Sequence, residues 1–251
     1  MNDLAGRTVL VTGSTHGIGR AVACALAEAG AGVGVHGRSC TAAQEVAGLL
    51  AKNGKHAGTF LADLSDPAAV ESLIAAVQRD LPTIDGLVAV AGADVLTGAA
   101  ADWDFEQKLD QLLRVDVSAT LKITRAIGRW MADHSGGTIV TIGWDQAATG
   151  MAGDSGELFA ATKGAVMAFT RSLALSLAPR VRVNCVAPGW IRTAWGEGAS
   201  EVWHRRAQQE SMLGRWGTPA DVADAVSWLL SEQAAFVTGQ VLAVNGGFRR
   251  V

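Results

Sequence analysis

The stretch Val9-Leu10-Val11-Thr12-Gly13-Ser14-Thr15-His16-Gly17-Ile18-Gly19-Arg20-Ala21 decides the reading of the chain. An apolar run leads directly into a glycine-rich turn, and the turn opens an alanine-rich segment of helical spacing. Glycines in such a turn let the backbone double back and approach a ligand closely. The free N–H groups at the start of the following helix favour negative charge, so the combination suits a pyrophosphate. Strand, turn and helix in that order make this far more specific than a glycine-rich turn alone.

The same alternation continues outward from this stretch. Val33-Gly34-Val35 leads to a helix near 41–53, and His56 to Leu61 to one near 67–79. Ile84 to Val90 precedes two helical stretches before 133, and Thr138 to Ile142 precedes a helix near 156–178. Val181 to Val186 is followed by a looser helical segment and a helix near 219–231, and Val241 to Val244 forms a last strand. Near-continuous apolar strands separated by helices predict a parallel sheet covered on both faces. The expected architecture is α/β, a single doubly wound Rossmann-type domain over 1–251 with a parallel sheet of about seven strands. Ligands are expected at the carboxyl ends of those strands.

Composition agrees with one large globular domain: 251 residues, 49% hydrophobic and 18% charged. It excludes disorder, collagen-like repetition and a disulfide scaffold. The 21 basic and 24 acidic residues give a net charge of −3, with no broad footprint for nucleic acid or an anionic membrane. Cys24, Cys40 and Cys185 are far apart and in no CxxC pattern, which argues against a structural zinc site and reads as buried thiols. No metal site is expected. Met1 to Arg7 carry no signal-like pattern, and no apolar run reaches the roughly 18 to 20 residues needed to span a bilayer, so a cytoplasmic location is expected. The chain has 8 Trp and no Tyr, and the missing tyrosine removes any mechanism that uses a phenol as acid, base or nucleophile.

The T-G-x-x-x-G-x-G spacing of Thr12 to Gly19, with these elements around it, resembles the short-chain dehydrogenase/reductase family, particularly its acyl-carrier-protein ketoreductase-like members. The resemblance covers nearly the whole chain. It implies that Gly13, Ser14, Thr15, His16, Gly17, Ile18 and Gly19 cradle a dinucleotide, that Asp63-Leu64 meet its adenine, and that Ala91-Gly92 end an N-N-A-G motif. Pro188-Gly189-Trp190-Ile191-Arg192-Thr193 resembles the P-G-x-x-x-T segment beside the nicotinamide carboxamide, assigning Pro188, Gly189, Ile191 and Thr193 to the cofactor. Gly214-Arg215-Trp216-Gly217-Thr218-Pro219 and Thr238-Gly239-Gln240 resemble later family signatures. A homodimer or homotetramer is implied on the same ground.

The expected cofactor is NADP(H) in preference to NAD(H). An NAD site places Asp or Glu about 20 residues beyond the glycine loop, on the ribose 2′-hydroxyl. Here the stretch reads His36-Gly37-Arg38-Ser39, and Arg38 suits a 2′-phosphate, with His16 as a helper.

The family's carbonyl chemistry rests on a tyrosine, a lysine four residues later, an oxygen-binding serine and an upstream asparagine. Those positions fall here on Phe159, Lys163, Trp144 and Asp116. Only the lysine survives. Phenylalanine cannot donate a proton to an alkoxide, and the indole N–H of Trp144 donates a hydrogen bond but accepts none. Lost general acids cost roughly 10²–10⁴ in rate and lost oxyanion donors about 10²–10³.

The carboxylates are the candidate substitutes. Asp145 follows Trp144, and Asp154 and Glu157 precede Phe159 in an expected loop; each reads either as an exposed loop carboxylate or as a replacement acid, with Glu157 carried as the catalytic candidate. Asp116 should lie near the Lys163 ammonium, as a structural ion pair or a catalytic group. His134 reads as a helix cap. The segment near 190–215 is expected to be a variable substrate lid. There Trp190, Trp195, Trp203 and Trp216, with Met212, either wall an apolar or aromatic pocket or pack as an interface or core, and His204 is a candidate to face a substrate.

Two functions are compatible with this pattern. One is an NADP(H)-dependent oxidoreductase acting on a small molecule, apolar or cationic, by iminium or conjugated-alkene reduction. The other is a catalytically silent dinucleotide-binding protein that regulates or pairs with an active relative. A ketoreductase with a substitute acid is a third, weaker reading.

Overall fold

A computed structural model describes residues 3–249; the first two and last two residues of the expected 1–251 domain lie outside the described residues. Seven parallel strands form one sheet in the order β3-β2-β1-β4-β5-β6-β7. They are β1 (Thr8–Thr12), β2 (Gly32–Gly37), β3 (His56–Leu61), β4 (Gly86–Ala89), β5 (Gly137–Ile142), β6 (Val181–Pro188) and β7 (Val241–Val244). β1 pairs with both β2 and β4, so the chain order reverses between β1 and β4 and opens a crevice at their carboxyl ends.

The helices are α1 (Gly17–Glu28), α2 (Cys40–Ala51), α3 (Pro67–Asp80), α4 (Phe105–Leu112), α5 (Thr120–Asp133), α6 (Asp154–Leu177), α7 (Ala194–Glu197), α8 (Glu201–Glu210) and α9 (Pro219–Leu230). Apolar side chains of α1, α2 and α9 bury one face of the sheet. Those of α3, α5 and α6 bury the other. Val9, Leu10 and Val11 are all inaccessible because both faces are covered, which is why the strand reads as a continuous apolar run.

Helix starts follow local chemistry. Asp66 accepts from the Ala68 N–H and Pro67 opens α3, with Val70, Leu73 and Val77 on its buried stripe. Asp104 and Gln107 close a capping box on α4, as Thr218 and Asp221 do on α9. Between α4 and α5 the helix widens into a π-helical turn, Leu113–Ala119. The sequence pattern shows helix on both sides of this turn but not the wider hydrogen bonding, which frequently marks functional sites.

Candidate active site

The glycine-rich turn lies at the mouth of the crevice. Gly13 has φ +67°, and a Cβ there would stand 2.7 Å from the Ala91 Cα, so the turn packs directly on the chain leaving β4. A Cβ on Gly19 would stand 2.0 Å from the Gly13 carbonyl oxygen. The turn is held from outside: the Gly13 N–H donates to His36 Nδ1 at 3.1 Å, and the Ser14 N–H to the His36 carbonyl at 2.9 Å. Ser14 Oγ accepts from the His36 N–H at 2.9 Å. Burial pushes the His36 pKa down to about 4, which keeps Nδ1 free to accept.

His16 is the N-cap of α1, but its side chain caps nothing and the first turn carries no carboxylate. Its ring instead lies 3.2 Å from Thr15 Oγ1. Ile18 packs partly against the core. Thr193 Cγ2 comes within 3.7 Å of where a Gly17 Cβ would be, so the segment after β6 crosses the start of α1. In that segment Pro188 ends β6, the Gly189 N–H donates to the Val244 carbonyl at 3.1 Å, and Ile191 is buried.

Arg38 is exposed after β2. Asp63 is exposed after β3, and hydrogen bonds from Ser65 hold its carboxyl below the usual range, with a smaller pull from Arg38. The side chain of Leu64, next to Asp63, is buried in the core. The turn, Arg38, Asp63, Ala91, Gly92 and the Pro188–Thr193 segment therefore lie along the carboxyl ends of β1, β2, β3, β4 and β6.

The second group surrounds Lys163. Its Nζ lies 2.7 Å from Asp116 Oδ2, and Asp116 Oδ1 accepts from the Ala93 N–H at 2.7 Å. Asp116 is 1% exposed on the π-helical turn, so the pair ties that turn, α6 and the chain after β4 together. Gly92 belongs to this group: a Cβ there would stand 3.1 Å from Asp116 Oδ2. Trp144 and Phe159 meet edge to face with ring centroids 6.3 Å apart. Phe159 also packs with Val95, Leu112 and Leu158.

The structure corrects several local expectations. Asp145 is not an exposed loop carboxylate: it is largely buried, Asn245 Nδ2 donates to its Oδ2 at 3.0 Å, and burial pushes its pKa up. Asp154 and Glu157 are exposed in the first turn of α6 rather than in a loop, where their charge favours the helix N-terminus. Of the three thiols read as buried, only Cys185 is; Cys24 is half-buried and Cys40 exposed. His134 caps α5 as expected, its Nδ1 2.7 Å from the Trp130 carbonyl.

In the segment near 190–215, Trp190 packs against Trp195, Trp203 and Trp216 at centroid distances of 5.6–6.2 Å. The indoles form a small core of their own, which favours the packing alternative for them. Met212 is 60% exposed and stands against Gly247 instead. Arg206 lies over the rings of Trp190 and Trp203. Glu210, which the sequence reading missed, accepts from Trp190 Nε1 and Arg206 Nε, each at 2.7 Å. Asn245 was missed too. The i,i+4 spacing of Arg206 and Glu210 on a helix is a signal that could have found Glu210, whereas Asn245 acts on Asp145, 100 positions away, and has none. Among the described residues no group of three or more His, Cys, Asp or Glu is placed to hold a metal ion, and no helix is long and apolar enough to cross a membrane.

Comparison with known proteins decides the family. The enoyl-(acyl carrier protein) reductase family model matches residues 13–249. The chain belongs to the short-chain dehydrogenase/reductase family. It falls in the acyl-carrier-protein ketoreductase-like branch of these oxidoreductases. It is 37% identical to the 3-oxoacyl-[acyl-carrier-protein] reductase FabG of Aquifex aeolicus, over 97% of this chain and 98% of that protein. It is 35% identical to nodulation protein G of a Rhizobium species, over the full length of both. Among solved structures it resembles 7 alpha-hydroxysteroid dehydrogenase complexed with NADH and 7-oxo glycochenodeoxycholic acid, with a TM-score of 0.88 at 27% identity over 99% of this chain and 96% of that one. It also resembles a gluconate 5-dehydrogenase from Burkholderia cenocepacia in complex with NADP and tartrate, with a TM-score of 0.86 at 29% identity over 97% and 95%.

Proposed function

We propose that the chain is an NADP(H)-dependent reductase of small molecules whose reaction does not pass through a phenol, and that its preferred substrate is an iminium ion rather than a ketone. The observation that carries this reading is the retained, buried Lys163–Asp116 ion pair beside an aromatic pair, Trp144 and Phe159, where the family's oxygen-handling groups would be.

The residues fit a dinucleotide. The uncapped start of α1, with no acid in its first turn, leaves backbone N–H groups for a pyrophosphate. Arg38 suits the 2′-phosphate that distinguishes NADP from NAD, with His16 as a helper. Asp63 serves the adenine end, Ala91 and Gly92 border the crevice, and the Pro188–Thr193 segment serves the carboxamide. Lys163 would hold the nicotinamide ribose.

NADPH, when bound, supplies a hydride. An acceptor carbonyl would become an alkoxide and need a proton, which neither Phe159 nor Trp144 can deliver. At an iminium carbon the new C–H bond forms as the C=N π pair moves to nitrogen as a lone pair, leaving a neutral amine without proton transfer. Because Asp116 neutralises Lys163, the pair sets no net positive charge against the cation.

Conjugated-alkene reduction is the second reading, favoured by the description of the matched family model. It needs a proton at carbon, for which Asp145, its pKa raised by burial, is the candidate acid. Assembly as a homodimer or homotetramer through the helices near 107–133 and 156–178, and a cytoplasmic location, accompany either reading.

Fluorescence titration with NADPH and NADH, followed by turnover assays against ketone, enone and cyclic iminium panels, tests the proposal. NADPH should bind more tightly, iminium substrates should turn over, and ketones should not. The Phe159→Tyr/Trp144→Ser double variant should gain ketone reduction by about 10²-fold or more. Efficient ketone reduction by the unmodified protein would overturn the chemistry. Tight NADPH binding with no turnover, even in the double variant, would establish the silent binder instead.

A further inference from the structure

A pocket of about 440 Å³ lies between α8 and the start of α9, walled by Arg192, His204, Gln208 and Trp216 and by the Arg215–Asp221 pair with Thr218. None of these residues belongs to the glycine-rich turn or to the Lys163–Asp116 group, and Arg192, although it comes from the segment after β6 that borders the crevice, lines this pocket with its neighbours from α8 and α9. The pocket is within the roughly 300–1,000 Å³ range of small-molecule sites.

Its hydrogen-bonding balance is one-sided. The Asp221 carboxylate is already spent: Arg215 Nη1 and Nη2 donate to it at 2.9 and 2.8 Å, and the Thr218 N–H and hydroxyl donate to Oδ2 at 2.7 and 2.8 Å. By contrast, the Arg192 guanidinium and the Gln208 amide make no hydrogen bond or ion pair among the described residues. The Trp216 side chain is 6% exposed, and its indole N–H is buried without a partner. His204 makes only a ring contact, with Trp216 at 5.3 Å. Unused donors thus outnumber unused acceptors, one fixed positive charge is uncompensated among the described residues, and the His204 and Trp216 rings, tilted at 57° to each other, form an aromatic corner.

We propose that this pocket binds a small organic anion, a carboxylate or phosphate ester carried on a flat apolar body, at a site separate from the dinucleotide crevice. Arg192 supplies the charge-assisted hydrogen bonds and Gln208 a neutral donor. The Trp216–His204 pair receives the apolar body. This site does not depend on the reaction chemistry proposed above.

The test titrates the full-length protein with benzoate, phenyl phosphate and inorganic phosphate, read by tryptophan fluorescence and calorimetry. At least one of the two organic anions should bind saturably, and which one binds tighter identifies the anionic group. Arg192→Ala should weaken that binding about tenfold or more, and Gln208→Ala by less. Both side chains lack protein partners, so the fold, checked by circular dichroism, should be unchanged. Arg38→Ala, at the other crevice, should leave the binding as it was.

Absence of saturable binding, indifference to Arg192→Ala, or loss of binding in Arg38→Ala would each overturn the assignment. Equal affinity for inorganic phosphate and phenyl phosphate would overturn the apolar part of it.

Discussion

The two sides of the crevice satisfy their polar groups in opposite ways. On the glycine-turn side, backbone donors are left open: α1 begins with neither a side-chain cap nor an acid, whereas α2, α3, α4 and α9 are all capped by Ser39, Asp66, Asp104 and Thr218. On the Lys163 side the charges are already matched, with Asp116 accepting from both Lys163 and the Ala93 N–H. One side is built to receive an external anion. The other has closed its charges on itself, with Trp144 meeting edge to face the Phe159 that stands four residues along α6 from Lys163.

The largest expected effect is on the closed side. Asp116→Ala should destabilise the protein by about 4 kcal/mol, because it leaves the largely buried Lys163 ammonium unpaired and the Ala93 N–H without its acceptor. Asp116→Asn keeps an acceptor for Ala93 and should lose less than half as much. Urea denaturation of the three proteins checks both values. Equal loss in the two variants would show that charge matching is not what this side depends on.

The open side should respond through the backbone. Gly13→Ala puts a Cβ 2.7 Å from the Ala91 Cα at a φ of +67°. Overpacking costs about 1–3 kcal/mol and the left-handed conformation about 1–2, so a loss of about 3 kcal/mol is expected in the same denaturation assay. NADPH affinity should fall with it, while in Asp116→Asn affinity should fall much less. A reversed order would break the division between the two sides.

How far the sequence disclosed all this depends on how local the signal is. Most strands were legible as short apolar runs between helical stretches, and β3, a mixed run at the sheet edge, by its place in that alternation. The turn from Thr12 to Gly19 was legible by its spacing, although only Gly19 is demanded from within the segment; Gly13 meets Ala91 and Gly17 meets Thr193. Asp116 and Lys163 were legible as a pair only through the family pattern, since 47 positions separate them. The π-helical turn that carries Asp116 has no residue signature. For Asp145 the sequence left exposed carboxylate and replacement acid both open, because its burial depends on Asn245 and Gly189, which meet it only when β5, β6 and β7 are aligned. The tryptophans were visible as a group, but that they pack on one another and on Arg206 is decided by the path of α7 and α8.

His36 supplies the smallest test and the one that reaches the turn from behind. Its ring must be neutral to accept from the Gly13 N–H, and burial lowers its pKa from about 6.5 to about 4. Below pH 6.5 the unfolded chain binds a proton that the folded chain refuses. This contribution is therefore fully present above pH 6.5 and is lost as the pH falls toward 4. The loss between pH 7.5 and pH 5 should be about 2 kcal/mol. His36→Asn, whose side-chain oxygen can also accept from Gly13, should flatten this part of the pH–stability curve while keeping the turn in place. If the curve kept its slope in that variant, the acid sensitivity would lie outside the turn. If instead the variant lost the slope and NADPH binding together, the His36 ring would be needed to hold the open donors in position as well as to satisfy Gly13.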